Sequence, residues 1–208
     1  MSGCREAEIL DAARQVVAAE VKALNRLQAQ IDDRILAAAR LIADSKGKVL
    51  TAGLGTSGYV ARRMAHLLSV TGTPAVFIHP ADALHGGLGV VRPGDVVIAI
   101  SKGGQSQELN EFTRRAKELG ARCIVLTAVA GSEFAKLGDL TVVLEIPEDA
   151  DPRGIVAMGS TLVTSAWGDA LAHTLMLMRE YTWESVLFTH PHGAVGQRGL
   201  AQMNRADG

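Results

Sequence analysis

The run from Val96 to Ser106, VVIAISKGGQS, admits few structures. It begins as continuous apolar residues, mostly β-branched, the pattern of a parallel strand covered on both faces. It ends in a glycine- and hydroxyl-rich turn ahead of a helical segment. Such a strand needs helices above and below it, so an α/β fold with an open parallel sheet is expected. Ligands of open α/β sheets bind beyond the carboxyl ends of the strands. The turn Ser101-Lys102-Gly103-Gly104-Gln105-Ser106 is therefore a candidate anion site.

The rest of the chain repeats this alternation. From Glu6 to about Asp44 there is no Gly or Pro, and Ile9, Val16, Val17, Val21, Leu24, Leu27, Ile31, Ile35 and Leu36 recur at three- and four-residue steps. This predicts one long helix, or two with a break near Asp32-Asp33. Its apolar stripe exceeds what one sheet face covers, which points to packing between subunits. Strands are expected at Lys48–Ala52, Ala75–Ile78, Cys123–Thr127 and Leu140–Ile146, in addition to the run already described. Helices are expected at Tyr59–Val70, Gln105–Leu119, Glu133–Leu137, Ile155–Glu180 and Trp183–Phe188. Between His79 and Gly89 a loop that can hold one helical turn is expected, PEDADPRG is a polar loop, and Thr189 to Gly196 is a glycine-rich loop with two histidines.

Composition removes whole classes of function. A net charge of -1 gives no field to attract nucleic acid or an anionic membrane. With 4% aromatic residues the core must be built from Ala, Val, Leu and Ile. Two cysteines, Cys4 and Cys123, are too few for a disulfide framework. The acidic N-terminus is unlike a signal peptide, and no apolar run is long enough to span a bilayer. These features lead to the expectation of a cytoplasmic protein.

Gly53 to Gly58, GLGTSG, matches G-x-G-x-x-G between a strand and a helix. A dinucleotide site also needs an acid at the end of the second strand, and that strand ends Phe77-Ile78-His79-Pro80. The nicotinamide reading is weakened accordingly. The Ser101–Ser106 turn is a second loop of the same kind. In a sheet of strand order 2-1-3-4-5, both loops face one crevice at the topological switch point. Hydroxyls of Ser101 and Ser106, amides of Gly103 to Ser106 and the Lys102 charge would there hold a phosphate or another tetrahedral anion, the alternative for Lys102 being a side chain in solvent.

The segments GLGTSG, TGTPAVFIHPADALHGGLG, PGDVVIAISKGGQSQEL, GDALA and THPHGAVGQR, in that order, resemble the sugar isomerase (SIS) domain family. Within it the chain is most similar to the arabinose-5-phosphate isomerase type, without the pair of regulatory CBS modules. The resemblance divides the chain into a helical extension (1–44), a SIS domain (45–198) and a polar tail (199–208). It implies a three-layer αβα sandwich with a five-stranded parallel sheet. It also implies a homotetramer, or a dimer, with active sites between subunits, and aldose–ketose isomerisation of an anionic sugar without a cofactor.

Position by position, the resemblance places the phosphate-binding hydroxyls at Ser57, Ser101 and Ser106, with Gly55, Thr56, Lys102, Gly103 and Arg153 around the substrate. It makes His190 the catalytic base, with His85 and Asp149 assisting. Three positions depart from the family pattern: Thr56 and Gln105 stand where lysine and glutamate are usual, and Asp149 replaces a third glutamate, with Glu148 adjacent. Enediol chemistry needs a base for the proton beside the carbonyl and an acid to move a proton between two oxygens. An imidazole exchanges protons near neutral pH, whereas Gln105 can donate a hydrogen bond but exchange no proton. With no lysine at position 56, a monoanion such as a sulfonate becomes a candidate beside phosphate, and Arg62, Arg153 or Lys102 could supply the missing charge. A non-catalytic sugar-phosphate sensor is the second reading. No metal is expected, although His85, His190 and His192 are residue types that bind one.

Overall fold

The computed structural model describes residues 3–192, 196, 197 and 199. The N-terminal helical stretch is divided where the sequence suggested. Helix α1 (Gly3–Gln28) is followed by α2 (Asp33–Ala43), which begins at Asp32, whose carboxylate accepts from Arg34 N at 3.0 Å and caps the helix. Strands and helices then alternate: β1 (Val49–Gly53), α3 (Gly55–Val70), β2 (Ala75–Ile78), α4 (Pro80–Leu84), β3 (Val96–Ile100), α5 (Gln107–Glu118), β4 (Arg122–Thr127), α6 (Glu133–Leu137) and β5 (Leu140–Val143). Helices α7 (Gly159–Met178) and α8 (Trp183–Phe188) follow. Of the 199–208 tail, all but Gly199 lies outside the described residues.

The sheet is parallel throughout, in the order 2-1-3-4-5. Neighbours β1 and β3 run in register from Val49 opposite Val96 to Gly53 opposite Ile100, so the two glycine-rich turns leave the sheet side by side. Both strands are fully buried, and their alternating side chains feed two cores. Val49, Val96, Ile98, Ile100, Ile124 and Leu126 face α2, α3 and α7. Leu50, Ala52, Val97, Ala99, Cys123 and Val125 face α5 and α6. Leu109, Phe112 and Ala116 of α5 point inward as their spacing predicts, as do Val60, Met64 and Leu68 of α3. At the amino end of the sheet, buried Asp95 accepts from Lys48 N (3.0 Å), Lys48 Nζ (2.7 Å) and Arg92 N (2.8 Å), which pins the entries to β1 and β3.

Most boundaries agree within two residues or so of the sequence reading, and four of the differences have a clear local reason. Helix α3 starts at Gly55, not Tyr59, because its first turn folds back tightly on β1. A Cβ on Gly53 would lie 2.7 Å from Ser57 O, and one on Gly58 would lie 2.8 Å from Gly53 O. Helix α5 starts at Gln107, with Ser106 as its N-cap, because Gly104 takes a left-handed φ of 68° just before it. Strand β5 stops at Val143, not Ile146. Beyond it the Gln30 side chain occupies the Glu145 backbone, accepting from its N–H (2.7 Å) and donating to its carbonyl (3.0 Å). Helix α7 starts at Gly159, not Ile155, because Asp151 Oδ1 accepts from Met158 N (2.8 Å) and Ser160 N (3.0 Å) and fixes its first turn.

Helix α1 buries Ala23 and Leu27 through its second half, leaving Ile9, Leu10, Val17 and Val21 exposed. The surplus apolar stripe read from the sequence is thus present on one chain. Among the described residues no helix is long and apolar enough to cross a membrane.

Candidate active site

The crevice lies at the carboxyl ends of β1 and β3, where the chain switches direction between helix layers. From β1 comes the first turn of α3, with Gly55 and Thr56 exposed and Ser57 half-buried. A helix first turn presents unpaired backbone N–H groups and the positive end of the helix dipole, which favours an anion there.

From β3 comes the Ser101–Ser106 turn. Ser101 is 6% exposed, and its Oγ accepts from Gly104 N at 3.1 Å, leaving its own hydroxyl proton free to donate. The Lys102 carbonyl is fixed by Thr127 Oγ1 (3.1 Å) and Ala128 N (2.9 Å), which ties the turn to the end of β4. Gly104, with its positive φ, packs so closely on α6 that a Cβ there would lie 2.5 Å from Ser132 Oγ. Gly103 has open space around it, and Gln105 is exposed and lines, with Gly103 and Gly104, a separate pocket beside Ser132 and Glu133. Ser57 from the first turn and Lys102 from the second line one cavity between the two strand tips.

The Lys102 side chain is not simply solvent-facing. Its ammonium lies 2.6 Å from Asp151 Oδ2, a carboxylate whose side chain is 2% exposed. Burial pushes that carboxyl up, but the Lys102 ammonium and the donors of Ser160 and Met158 outweigh it and hold the pKa at about 2. The sign follows directly: with the folded value below the ordinary one, the stabilisation is present in full above about pH 4 and is lost as pH falls toward about 2. The displacement corresponds to roughly 2 kcal/mol. Urea titrations at pH 5 and pH 2.5 should therefore show a smaller acid-induced loss of stability in Asp151→Asn than in the native chain. An equal loss in both would refute the assignment.

The acidic loop read from the sequence divides into two fates. Asp149 is exposed and lies 2.8 Å from Lys22 Nζ of α1, and that ammonium holds its carboxyl below the usual range despite a small opposing desolvation. Asp149 lines an open groove of about 790 Å³ with Glu148, Lys102 and Arg153. Arg153 itself sits at a left-handed φ of 56°, which is uncommon for a non-glycine residue. Arg62 lies over Phe77, its guanidinium 4.3 Å from the ring centroid, and both line a pocket of about 230 Å³ with Gly53, Gly55 and Gly58 of the first turn.

The histidines are more widely spread. His85 ends α4 and is exposed on the face opposite α7. His190 Nδ1 donates to Val186 O at 2.7 Å, so its Nε2 is the nitrogen left to accept a proton. His190 is not among the residues that line the crevice cavities. Helix α7 starts beside Asp151 at the crevice, and its far end lies against the Gly72 turn, where Arg179 Nη1 donates to Gly72 O at 3.4 Å. His192 is exposed, and Gly193, Ala194 and Val195 of the same loop lie outside the described residues. Among the described residues no group of three His, Cys, Asp or Glu side chains is placed to hold a metal.

Sequence reasoning did not single out Asp151, Thr127, Ser160 or Thr164. Ser160 and Thr164, one turn apart on α7, line a small cavity of about 30 Å³ with Ser57, Lys102 and Thr127. Their i, i+4 spacing on a largely apolar helix was the available signal.

Comparison with known proteins agrees with this geometry. The SIS domain profile matches residues 41–174. The chain is 37% identical over 193 residues to the arabinose 5-phosphate isomerase KdsD of Escherichia coli O6:H1, covering 93% of this chain and 59% of that protein. It is 34% identical over 203 residues to KdsD of Pseudomonas aeruginosa, covering 98% and 62%. The chain thus spans about 60% of the length of the curated relatives it matches. A solved structure, an E. coli CFT073 protein in complex with arabinose 5-phosphate, superimposes with a TM-score of 0.85 at 29% identity, covering 92% of this chain and all of that one. With the sheet order, the paired glycine-rich turns and a profile match over most of its length, the chain belongs to the SIS domain family.

Proposed function

We propose that this chain is an aldose–ketose isomerase acting on a sugar phosphate, with arabinose 5-phosphate the first substrate to consider. One observation carries the reading: two hydroxyl-bearing, amide-rich turns open side by side at the switch point of a sheet that superimposes on the sugar-phosphate-bound E. coli protein. The relatives named as arabinose 5-phosphate isomerases support the same substrate class.

In this scheme the hydroxyls of Ser57, Ser101 and Ser106, the amides around Gly103 and the Gly55–Thr56 turn hold the anionic end of the open-chain sugar. Lys102 and Arg153 supply positive charge. The Nε2 of His190 removes the proton from C2. The resulting enediol is reprotonated at C1 while a proton moves between the two oxygens. His190 follows the far end of α7 and is absent from the lining of this chain's crevice, so in this scheme the base comes from a second copy, in an oligomer with sites between subunits, a homotetramer or a dimer. His85 and Asp149 assist proton movement, and Gln105 donates a hydrogen bond to a substrate oxygen. The chemistry draws on side chains alone and takes place in the cytoplasm.

A second substrate class has a specific observation behind it. Thr56 and Gln105 are neutral and Lys102 is already paired with Asp151, which leaves Arg153 as the main positive charge of the groove. That favours a singly charged head group such as the sulfonate of a hexose 6-sulfonate, sulfoquinovose among them. Thermal unfolding against arabinose 5-phosphate, hexose 6-phosphates and sulfoquinovose tests both. A ligand at 100 times its Kd should stabilise the fold by about 2.7 kcal/mol. A panel without any shift would sink the anionic-sugar reading.

A further inference from the structure

Lys102 is held between two demands. It lines the small cavity beside Ser57 and Thr127, and among the described residues lining that cavity it is the only charged one. Its ammonium is already bound to Asp151, which cannot leave: that carboxylate is buried, and its other oxygen fixes the first turn of α7 through Met158 N and Ser160 N. The backbone of Lys102 is fixed as well, by Thr127 and Ala128, so only its flexible side chain can respond to a ligand.

We propose that Asp151 is a positioning residue that sets the strength of the anion site: it holds Lys102 in a competing ion pair, and an anionic ligand binds by drawing the Lys102 ammonium away from that pair. The proposal rests on the sugar-anion reading of the crevice and adds its regulation. Three physical consequences follow. The Asp151 charge opposes the anion both by direct repulsion and by occupying the Lys102 ammonium, the one charged group lining the small cavity among the described residues. The linker from Pro147 to Met158, joined to the β3 turn through this pair, becomes less tightly tied when ligand is bound. Affinity is thereby kept below what a free lysine beside two amide-rich turns would give, which favours release of a product bearing the same anion as the substrate.

The unusual prediction is that removing an acid tightens binding. Asp151→Asn keeps an oxygen to accept from Met158 N and Ser160 N while removing the charge. Titration calorimetry of the native chain, Asp151→Asn, Lys102→Gln and the double variant is the test, with arabinose 5-phosphate and, separately, inorganic phosphate as probes. Asp151→Asn should bind about tenfold more tightly and Lys102→Gln about tenfold more weakly. The cost of losing Lys102 should be larger in the Asp151→Asn background, where the ammonium is free to reach the ligand.

Loss of a purely structural acid would leave affinity unchanged or weaken it, so an Asp151→Asn Kd equal to or above the native value, in a protein with native circular dichroism, overturns the proposal. If Asp151→Asn does not fold, Lys102→Gln decides, since a Kd within twofold of native excludes any part for the pair. If the native chain ignores arabinose 5-phosphate yet the variants rank as stated with inorganic phosphate, the substrate reading fails and the charge-setting role stands.

Discussion

His190→Ala is expected to lower kcat for a sugar phosphate by ~10²–10⁴-fold, the range that removal of a positioned general base produces, while leaving Kd within about twofold of native. The reason is positional. The imidazole is anchored by its Nδ1–H on Val186 O (2.7 Å), which fixes the tautomer and leaves Nε2 as the nitrogen that can accept a proton, and it is not among the residues lining the cavity beside the turns proposed to hold the anion. His190→Gln is the stricter variant, because it keeps a polar side chain near the Val186 carbonyl and removes the exchangeable basic nitrogen. A parallel loss of affinity and turnover would mean that His190 orders the site. Full activity in either variant would remove it from the mechanism. The experiment also separates an enzyme from a sensor, since a sensor has no turnover to lose.

Gly104→Ala is the second large effect. The residue lies at φ 68°, where a side chain costs about 1–2 kcal/mol, and its Cβ would fall 2.5 Å from Ser132 Oγ and 2.7 Å from Ser132 Cβ. Ser132 cannot yield freely, because its Oγ caps α6 at Ala135 N (3.1 Å) and donates to Val129 O (2.8 Å). Overpacking adds about 1–3 kcal/mol, so a total loss of roughly 2–5 kcal/mol in urea unfolding is expected. A phosphate Kd weakened at least about tenfold should accompany it, because the amides of the turn are displaced together. Gly103→Ala is the internal control. Nothing lies within 4 Å of its Cβ and its φ is not positive, so its stability should stay near native. Equal stabilities for the two variants would show that the turn is not held against α6.

Much of this architecture could be read from periodicity, because the physics that sets it is local. The all-apolar Val96 to Ile100 run can only be a strand buried on both faces, and the Asp32-Asp33 pair marks the end of α1's pattern because Asp32 is an N-cap. The alternation of strands and helices gives a parallel sheet but not its strand order; the two turns fall side by side because the order is 2-1-3-4-5, the condition under which the sequence placed them together. What could not be read depends on long-range partners. In PEDADPRG the acids look alike. Asp149 meets Lys22 from α1 at the surface, whereas Asp151 is buried beneath Lys102 and caps α7. Nothing in the spacing distinguishes them, because burial is decided by where β5 ends and α7 begins. The same holds for Gln30, whose amide stands in for a strand partner at Glu145. That His190 is absent from the lining of the crevice depends on the direction α7 takes across the sheet, which the sequence does not show.

The most direct test of the isomerase assignment is ¹H NMR of the purified chain with arabinose 5-phosphate in D₂O. Transfer of hydrogen by a base that exchanges with solvent predicts conversion to the ketose, ribulose 5-phosphate, with deuterium appearing at C1 and loss of the C2 proton signal at the same rate. Saturable binding of the same sugar phosphate, with neither ketose formed nor the C2 proton exchanged over many hours, would contradict catalysis and leave a sugar-phosphate receptor in its place.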